Sequence, residues 1–240
     1  MKGLLKSSRK IAIFDIDGTI FRSSFLIELV EVLIEKKVFH DSVRADYDRE
    51  KVRWLDRKGD YEAYIDAVVK VFMRNIKGVS YEDFSLAAKL VVSRYRHRTY
   101  RFTEELITEL KMKKYFVVAI SHSPKGVLDL FCKELGFDKV YGKFYELGPN
   151  EKFTGKILGE RLIMSKANIL RRVTEVEGLT LKGSVGVGDT ESDISFFELV
   201  NRPICFNPNM KLWKHAQKHG WEVIVERKDV VYELNKKRVS

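Results

Sequence analysis

Short apolar runs, each ended by a polar residue, a glycine or a proline, stand out in the hydrophobic pattern of the chain. A continuous apolar run of this kind is typical of a parallel strand buried on both faces. The runs are Ile11–Phe14, Phe116–Ile120, Ser184–Val187 and Pro203–Phe206. Segments with helical periodicity separate or follow them, at Phe102–Lys113, Lys125–Leu135, Lys166–Val176, Asp193–Leu199 and Leu212–His219. This alternation predicts an α/β fold with a doubly wound, Rossmann-like and mostly parallel sheet.

The stretch from residue 23 to residue 100 has a different pattern, with helical spacing of apolar residues and no convincing strand. Such stripes are typical of amphipathic helices that bury one face. The stripes are Leu26, Leu29, Val30 and Leu33; Tyr64, Ala67, Val68, Val71 and Phe72; and Phe84, Ala87, Ala88 and Val91. We therefore expect an all-helical cap domain at 23–100, inserted into an α/β core domain formed by 1–22 and 101–240.

A hairpin signal interrupts the alternation of strands and helices in the core. The segments Tyr141–Glu146 and Lys152–Lys156, rich in aromatic and β-branched residues, flank the turn sequence Gly148-Pro149-Asn150. Glycine, proline and asparagine favour tight turns, so an antiparallel hairpin is expected here.

Composition narrows the class of protein without changing this picture. Of 240 residues, 45% are hydrophobic and 32% are charged, which is typical of a soluble globular chain. Cys132 and Cys205 belong to no CxxC pair, so neither a disulfide framework nor a structural zinc site is expected. No apolar run approaches the ~18 residues needed to cross a bilayer, and no signal peptide is recognisable. We expect a cytoplasmic protein with no membrane partner.

The formal net charge of +10 could attract nucleic acid, a membrane surface or small phosphorylated ligands. The local basic runs are Lys6–Lys10, Arg94–Arg98 and Lys236–Arg238. Each is typical of a solvated helix face or a chain terminus. We expect no nucleic-acid partner and assign the charge to attraction of phosphorylated small molecules.

Two pairs of acidic residues follow predicted strands. Asp15 and Asp17 come after the run Ile11–Phe14, and Asp189 and Asp193 come after the run Ser184–Val187. Ligands bind beyond the carboxyl ends of strands in open parallel sheets, so these acids are expected at one edge. Carboxylates brought together repel one another unless a cation joins them, and Mg2+ prefers such oxygen ligands. We expect a Mg2+ site, with a helix cap and turn as the structural alternative for the first pair.

Two further segments supply hydroxyl, amide and ammonium groups. Ser121 and His122 come directly after the strand predicted at Phe116–Ile120. A hydroxyl and free amides at a strand end, just before a helix, can bind an anion, although an N-cap serine would have the same surroundings. Lys166 opens a predicted helix and is, by itself, indistinguishable from a surface lysine.

Together these segments resemble the haloacid dehalogenase-like phosphatases, specifically their phosphoserine phosphatase-like branch with a helical cap, over nearly the whole chain. The motifs that carry the resemblance are Asp15-Ile16-Asp17-Gly18-Thr19, Ser121, Lys166, and Gly188-Asp189 with Asp193. The segments Phe153-Thr154-Gly155-Lys156 and Phe206-Asn207-Pro208-Asn209 are similar to this branch as well.

The resemblance implies a role for each of these residues. Asp15 is expected to be the nucleophile that becomes an aspartyl phosphate, with Asp17 as general acid and base and Lys166 as a further catalytic residue. Asp193 is expected to hold Lys166 or a metal-bound water in position rather than to take part in the reaction itself. The expected metal ligands are Asp15, Asp17 and Asp189. The expected phosphate-binding residues are Thr19, Ser121, His122 and Lys166.

Two positions depart from the phosphoserine phosphatase pattern. The last motif has Ser192 before Asp193, where those enzymes usually have asparagine. Ser24 lies nine residues after Asp15, where they place a glutamate that holds the substrate ammonium. Glu28, one turn further on, is the first alternative carboxylate. Phosphoserine is therefore predicted to be a poor substrate.

The function expected from these features is Mg2+-dependent hydrolysis of a small phosphorylated metabolite through an aspartyl phosphate. A phosphotransferase with the same intermediate is one alternative, and a non-catalytic protein that binds Mg2+ or nucleic acid is another. The chain is expected to act as a monomer or homodimer.

Overall fold

A computed structural model of the protein describes residues 9–159 and 165–234. Its eight-stranded sheet has the order β4-β3-β2-β1-β5-β6-β7-β8. The strands are β1 (Lys10–Phe14), β2 (Phe116–Pro124), β3 (Lys139–Leu147), β4 (Phe153–Leu158), β5 (Thr180–Gly188), β6 (Arg202–Phe206), β7 (Glu222–Arg227) and β8 (Val230–Leu234). The six central strands, β3, β2, β1, β5, β6 and β7, run parallel to one another. Strands β4 and β8 pair antiparallel at the two edges. The α/β fold with a mostly parallel sheet is confirmed.

Helices cover both faces of the sheet. They are α1 (Phe25–Glu35), α2 (Ala45–Leu55), α3 (Tyr61–Asn75), α4 (Tyr81–Tyr95), α5 (Arg101–Met112), α6 (Lys125–Leu135), α7 (Lys166–Val176), α8 (Ile194–Phe197) and α9 (Met210–His219). Alternate residues of β1 face opposite sides, because successive side chains of a strand point to opposite faces. Ala12 and Phe14 pack with α5, α6 and the cap, whereas Ile11 and Ile13 pack with α7, α8 and α9.

The inserted segment 23–100 folds as helices α1 to α4 with a short 3-10 turn at Asp41–Arg44. Its buried apolar residues belong to the same hydrophobic cluster as one face of the sheet. Helix α4 packs on α6 so closely that a Cβ at Gly126 would lie 2.8 Å from the ring of Phe84. The boundaries at 1–22, 23–100 and 101–240 stay a prediction, because this continuous packing marks no break.

The predicted hairpin is formed by β3 and β4, and its tip meets the cap. Gly78 N donates to Phe153 O (2.8 Å), Phe153 N donates to Val79 O (2.9 Å), and the rings of Phe84 and Phe153 lie 5.1 Å apart. The hairpin thus fixes the position of the cap relative to the sheet.

Two strands and one helix differ from what the sequence pattern predicts. Strands β7 and β8 were not among the predicted strands, and the helix expected at Asp193–Leu199 is split into a 3-10 turn at Glu191–Asp193 and α8. Among the residues described, no helix has the length and apolar character needed to span a bilayer. The terminal basic runs lie outside the described residues, apart from Arg9 and Lys10.

Candidate active site

The parallel pairing of three central strands brings the predicted residues to one edge of the sheet. Phe14 of β1 is in register with Val187 of β5 and with Ala119 of β2. Asp15 N donates to Val187 O (2.9 Å), which extends the pairing by one residue. The segments that carry Asp15, Ser121 and Asp189 therefore leave the sheet side by side.

A tight turn at Gly18 brings the first acidic loop against Asp189. Gly18 has a φ of +81°, and a Cβ at this position would lie 2.1 Å from Asp189 Oδ2. Both the positive φ and the missing space require glycine. The next residue, Thr19, is fully buried and donates its hydroxyl to Asp189 Oδ1 (3.2 Å). Thr19 is thus placed to orient this carboxylate.

Lys166 lies between two buried carboxylates at the start of α7. Its Nζ is 2.5 Å from Asp15 Oδ1 and 2.5 Å from Asp193 Oδ1, and its side chain is 3% exposed. Burial alone would lower the pKa of Lys166, but the two carboxylates outweigh this effect and raise it. Lys166 therefore stays charged inside the protein.

Asp193 supports both Lys166 and the loop of Asp189. Its Oδ1 accepts from Lys166, while its Oδ2 accepts from the main-chain N–H groups of Asp189 (3.0 Å) and Thr190 (3.1 Å). Gly188 lies so close that a Cβ there would be 2.4 Å from Asp193 Oδ2. Asp193 thus contacts Lys166 and the loop of Asp189, and its supporting role stays a prediction.

Asp17 has different partners from Asp15. Its Oδ1 accepts from Phe25 N (2.6 Å) and its Oδ2 accepts from the Ser121 hydroxyl (2.5 Å). Ser121 Oγ in turn accepts from Ser123 N (2.9 Å), which fixes the rotamer of the serine. Burial raises the pKa of Asp17, and the hydrogen bonds from Ser121 and Phe25 offset this only in part. A carboxyl with a raised pKa is suited to donate a proton.

The chemistry of the Asp15 and Asp189 carboxylates fits a bound divalent cation. Burial raises the pKa of Asp15 to about 8, against the opposing effect of Lys166 and with the help of Asp193 and Asp17. Burial, then the charges of Asp15 and Asp193, raise the pKa of Asp189 well above its usual range. Crowded carboxylates of this kind favour a hard cation that takes oxygen ligands.

Asp17 and His122 are the predicted metal and phosphate ligands that remain. Each carboxylate oxygen of Asp17 already accepts a hydrogen bond, from Phe25 N and from the Ser121 hydroxyl. His122 follows Ser121 within β2 and is half-buried. Their roles as a metal ligand and a phosphate ligand stay predictions, as do those of the other site residues.

The site acids raise the pKa of two tyrosines that the sequence pattern did not single out. Tyr61, the first residue of α3, has its pKa raised by burial and then by the charges of Asp17 and Asp189. Tyr100, just before α5, has its pKa raised by burial, with Asp189 adding to the shift. Tyr61 continues an apolar helical stripe in the sequence, so only its place in the folded cap distinguishes it from core.

The position expected to read a substrate ammonium carries no available carboxylate. Ser24 is 3% exposed and caps α1 by accepting from Leu26 N (3.3 Å). Glu28 accepts from Arg98 (2.7 Å) and from the Ser23 hydroxyl (2.8 Å). The alternative carboxylate is thus already neutralised by an arginine.

Comparison with known proteins supports the kinship that the motifs suggest. Residues 12–198 match the sequence model of the haloacid dehalogenase-like hydrolases. A phosphoserine phosphatase of Methanocaldococcus jannaschii is 24% identical over 94% of this chain and 96% of its own length. A histidinol-phosphatase of Neisseria meningitidis serogroup C is 23% identical over 90% of this chain and 98% of its own length.

The fold is shared with solved structures. A structure described as a phospho-aspartyl intermediate analogue of phosphoserine phosphatase superposes with a TM-score of 0.61 at 24% identity. The match covers 93% of this chain and 96% of that one. The common fold places both chains in one structural class, while their side chains differ at most positions.

Proposed function

Since this chain belongs to the haloacid dehalogenase-like hydrolases, we propose that it is a Mg2+-dependent phosphatase that hydrolyses a small phosphomonoester through an aspartyl phosphate. The supporting observation is the different environment of two acids only two residues apart. Asp15 accepts a hydrogen bond from a buried ammonium, whereas Asp17 accepts hydrogen bonds from a hydroxyl and a main-chain amide. A pair of carboxyl groups in such different surroundings can divide the work of nucleophile and acid.

In the first half of the reaction, an oxygen of Asp15 attacks phosphorus and the bond from phosphorus to the substrate oxygen breaks. Asp17 donates its proton to that leaving oxygen, so the organic product departs as an alcohol. Lys166 holds a phosphoryl oxygen, as does Ser121 once its hydroxyl turns from Asp17 to the substrate, because phosphoryl transfer depends mainly on positioning and charge stabilisation. Mg2+, held by Asp15 and Asp189, would neutralise part of the phosphoryl charge.

In the second half, water attacks the phosphorus of the aspartyl phosphate and the bond to Asp15 breaks. Asp17, now ionised, takes a proton from that water. The products are inorganic phosphate and the original Asp15 carboxylate. The same carboxyl thus acts as acid first and base second.

The function is tested by phosphate release from p-nitrophenyl phosphate and a panel of phosphometabolites, with Mg2+ and with excess EDTA. We expect turnover only with Mg2+, and Ca2+ should inhibit because its looser coordination misplaces the phosphate. Asp15→Asn should abolish turnover without unfolding the chain, since an amide is not a competent nucleophile. Asp48→Asn, on the exposed surface of α2, is the matched control and should leave the rate unchanged.

Full turnover in EDTA would contradict the metal assignment. Substantial activity of Asp15→Asn would mean that another group attacks phosphorus. Transfer of phosphate to added alcohols in preference to water would identify a phosphotransferase with the same site.

A further inference from the structure

Strand β8 is the last strand of the described sheet, and one of its faces carries an exposed apolar stripe. The stripe consists of Val230, Tyr232 and Leu234, which are 43%, 50% and 42% exposed. These residues lie on one face, because successive side chains of a strand point to opposite faces. Val225 of β7 lies opposite Tyr232 and packs against the apolar cluster that includes α9. The stripe thus continues an apolar face of the sheet out into solvent.

The main chain of β8 has one side that faces away from the sheet. A two-residue turn joins β7 to β8, so Arg227 and Val230 close the hairpin as a hydrogen-bonded pair. Hydrogen-bonded and non-hydrogen-bonded pairs alternate along an antiparallel ladder. The N–H and C=O groups of Tyr232 therefore point toward β7, whereas those of Val231 and Glu233 point to the outer edge.

The two edges of the sheet differ in the features that prevent pairing with a further strand. Edge strands are commonly blocked by a lysine, a bulge or a covering element. At the other edge, β4 contains Lys156, its register with β3 shifts between Tyr145 and Leu147, and Phe153 is bonded to the cap. Strand β8 contains neither lysine nor proline and pairs with β7 without a shift. The β8 edge is therefore the one suited to receive another strand.

The sequence of β8 is complementary to itself when two copies pair antiparallel. In a two-fold arrangement, the outward groups of Val231 bond to those of Glu233 in the second copy, and Tyr232 lies opposite the second Tyr232. The same register places Val230 opposite Leu234. Each residue of the exposed stripe then meets an apolar residue across the new strand pair, and such cross-strand pairs stabilise a sheet.

The charges near β8 favour this register over its two neighbours. A shift of the pairing in one direction would place Asp229 opposite Glu233, and a shift in the other would place the two Glu233 side chains opposite each other. Like charges directly opposite destabilise a strand pair. In the favoured register, Glu233 is instead diagonal to Asp229 of the second copy, whose carbonyl accepts from the Arg101 side chain at 3.2 Å. Arg101 and Glu233 of different copies are thus within reach of each other.

We propose that β8 is a homodimer interface, at which two copies of this chain pair antiparallel about Tyr232 and join their sheets into one. The interface does not depend on the phosphatase function proposed above. Strands β6 and β7 separate β8 from β5, the nearest of the three strands that lead into the site, so each copy keeps its own site.

Sedimentation velocity over a series of protein concentrations tests the association. We expect a species of twice the mass of one chain, with a dissociation constant in the micromolar range because a single strand pair is a small interface. Tyr232→Lys should weaken the association about tenfold, since it sets two ammonium groups opposite each other. Val231→Pro should also weaken it, because proline removes an outward N–H and leaves the pairing with β7 intact. Leu158→Lys, at an exposed apolar position of β4, is the matched control and should not change it.

Two further measurements test the register. The amides of Val231 and Glu233 should exchange hydrogen more slowly at high protein concentration, whereas the Tyr232 amide should be protected at every concentration, as NMR would resolve. Arg101→Glu and Glu233→Arg should each weaken the association, and the double variant should restore it. Circular dichroism should show that each variant keeps its fold.

A monomer at every concentration would overturn the proposal. A dimer that persists in both Tyr232→Lys and Val231→Pro, or one that is lost in Leu158→Lys, would place the interface elsewhere and overturn it as well. Assemblies larger than a dimer would contradict the two-fold pairing. Loss of the dimer in Tyr232→Lys with the control unchanged supports the interface whether or not the chain hydrolyses phosphate esters.

Discussion

Lys166 has the sequence surroundings of an ordinary surface lysine, yet its ammonium lies between two carboxylates in the interior. The side chains of Lys166, Asp15 and Asp193 are 3%, 8% and 0% exposed, respectively. Such an arrangement holds a charge at the site at the cost of removing an ammonium and two carboxyl groups from water. It is therefore better understood as a catalytic device than as a source of stability.

Lys166→Met should destabilise the protein at neutral pH by about 3–5 kcal/mol, since it leaves two buried carboxylates without their cation. The pKa of Asp15, already raised by burial, should rise further in the folded variant because the opposing effect of Lys166 is lost, so Asp15 should bind its proton more tightly than in the unfolded chain. The lost stability should then be recovered in part as the pH falls, which urea unfolding at several pH values would measure. Lys89→Met, exposed on α4, is the control. A loss of stability that does not depend on pH would contradict this account.

At the scale of elements, the start of α9 connects the site loop of the core to the cap. Asn209 N donates to Asp189 O (2.9 Å), and the Asn209 side chain caps α9 and contacts Glu191. Lys211 then bridges Glu191 of the core (2.6 Å) and Glu62 of the cap (3.0 Å). Glu62 lies in the first turn of α3, so this bridge connects the start of that cap helix to the loop beyond Asp189.

Lys211→Met should raise KM by about two- to tenfold with little change in global stability, because exposed ion pairs are individually weak. The bridge is exposed to solvent, so salt should screen it over about 3 Å at 1 M ionic strength. Wild type and variant should therefore converge at high salt. Lys214→Met on the same helix is the control. A difference in KM that persists at 1 M salt would show that the bridge does not fasten the cap.

At the scale of the whole molecule, stability and Mg2+ affinity are linked through the crowded acids. The folded pKa of Asp15 is raised to about 8, and that of Asp189 is also raised, whereas an unfolded aspartate titrates near 4. Between these values the folded chain binds more protons than the unfolded chain. The metal-free protein should therefore lose stability as the pH rises from about 4 to about 8.

Mg2+ should reverse this trend because it replaces the protons on the acids. The increase in Tm caused by Mg2+ should be larger at pH 8 than at pH 6, and calorimetry in two buffers should detect proton release on binding. Asp189→Asn should lose most of the increase. An increase of equal size at both pH values would show that these acids do not bind the metal.

The net charge of +10 is also a property of the whole molecule. Many of the described basic side chains form exposed ion pairs, such as Arg74 with Asp46 and Arg94 with Glu35. We expect the excess charge to guide phosphorylated substrates, so added salt should lower kcat/KM more than kcat. Tight, strongly salt-dependent binding of RNA or DNA near physiological salt, measured by fluorescence anisotropy, would contradict this expectation.

The sequence alone determined the order of the core elements and which residues meet at the edge of the sheet. Apolar periodicity reflects burial on one or both faces, so β1, β2, β5 and β6 and several helices could be located from neighbouring residues alone. Once parallel strands were predicted, Asp15, Ser121 and Asp189 had to converge, because parallel strands end at the same edge. The bounds of α6 and α7 agree with the predicted segments.

Only the tertiary structure decided which side chains meet across the cap and the core. Lys211 and Glu62 are 149 residues apart, and the pairing of Glu28 with Arg98 spans 70 residues. The contact between the start of α3 and the core likewise depends on how α3 docks, which a helical stripe in the sequence does not predict. Hydrophobic periodicity predicts that a residue is buried but not which residues it packs against. Those contacts depend on packing between segments that are distant in the sequence.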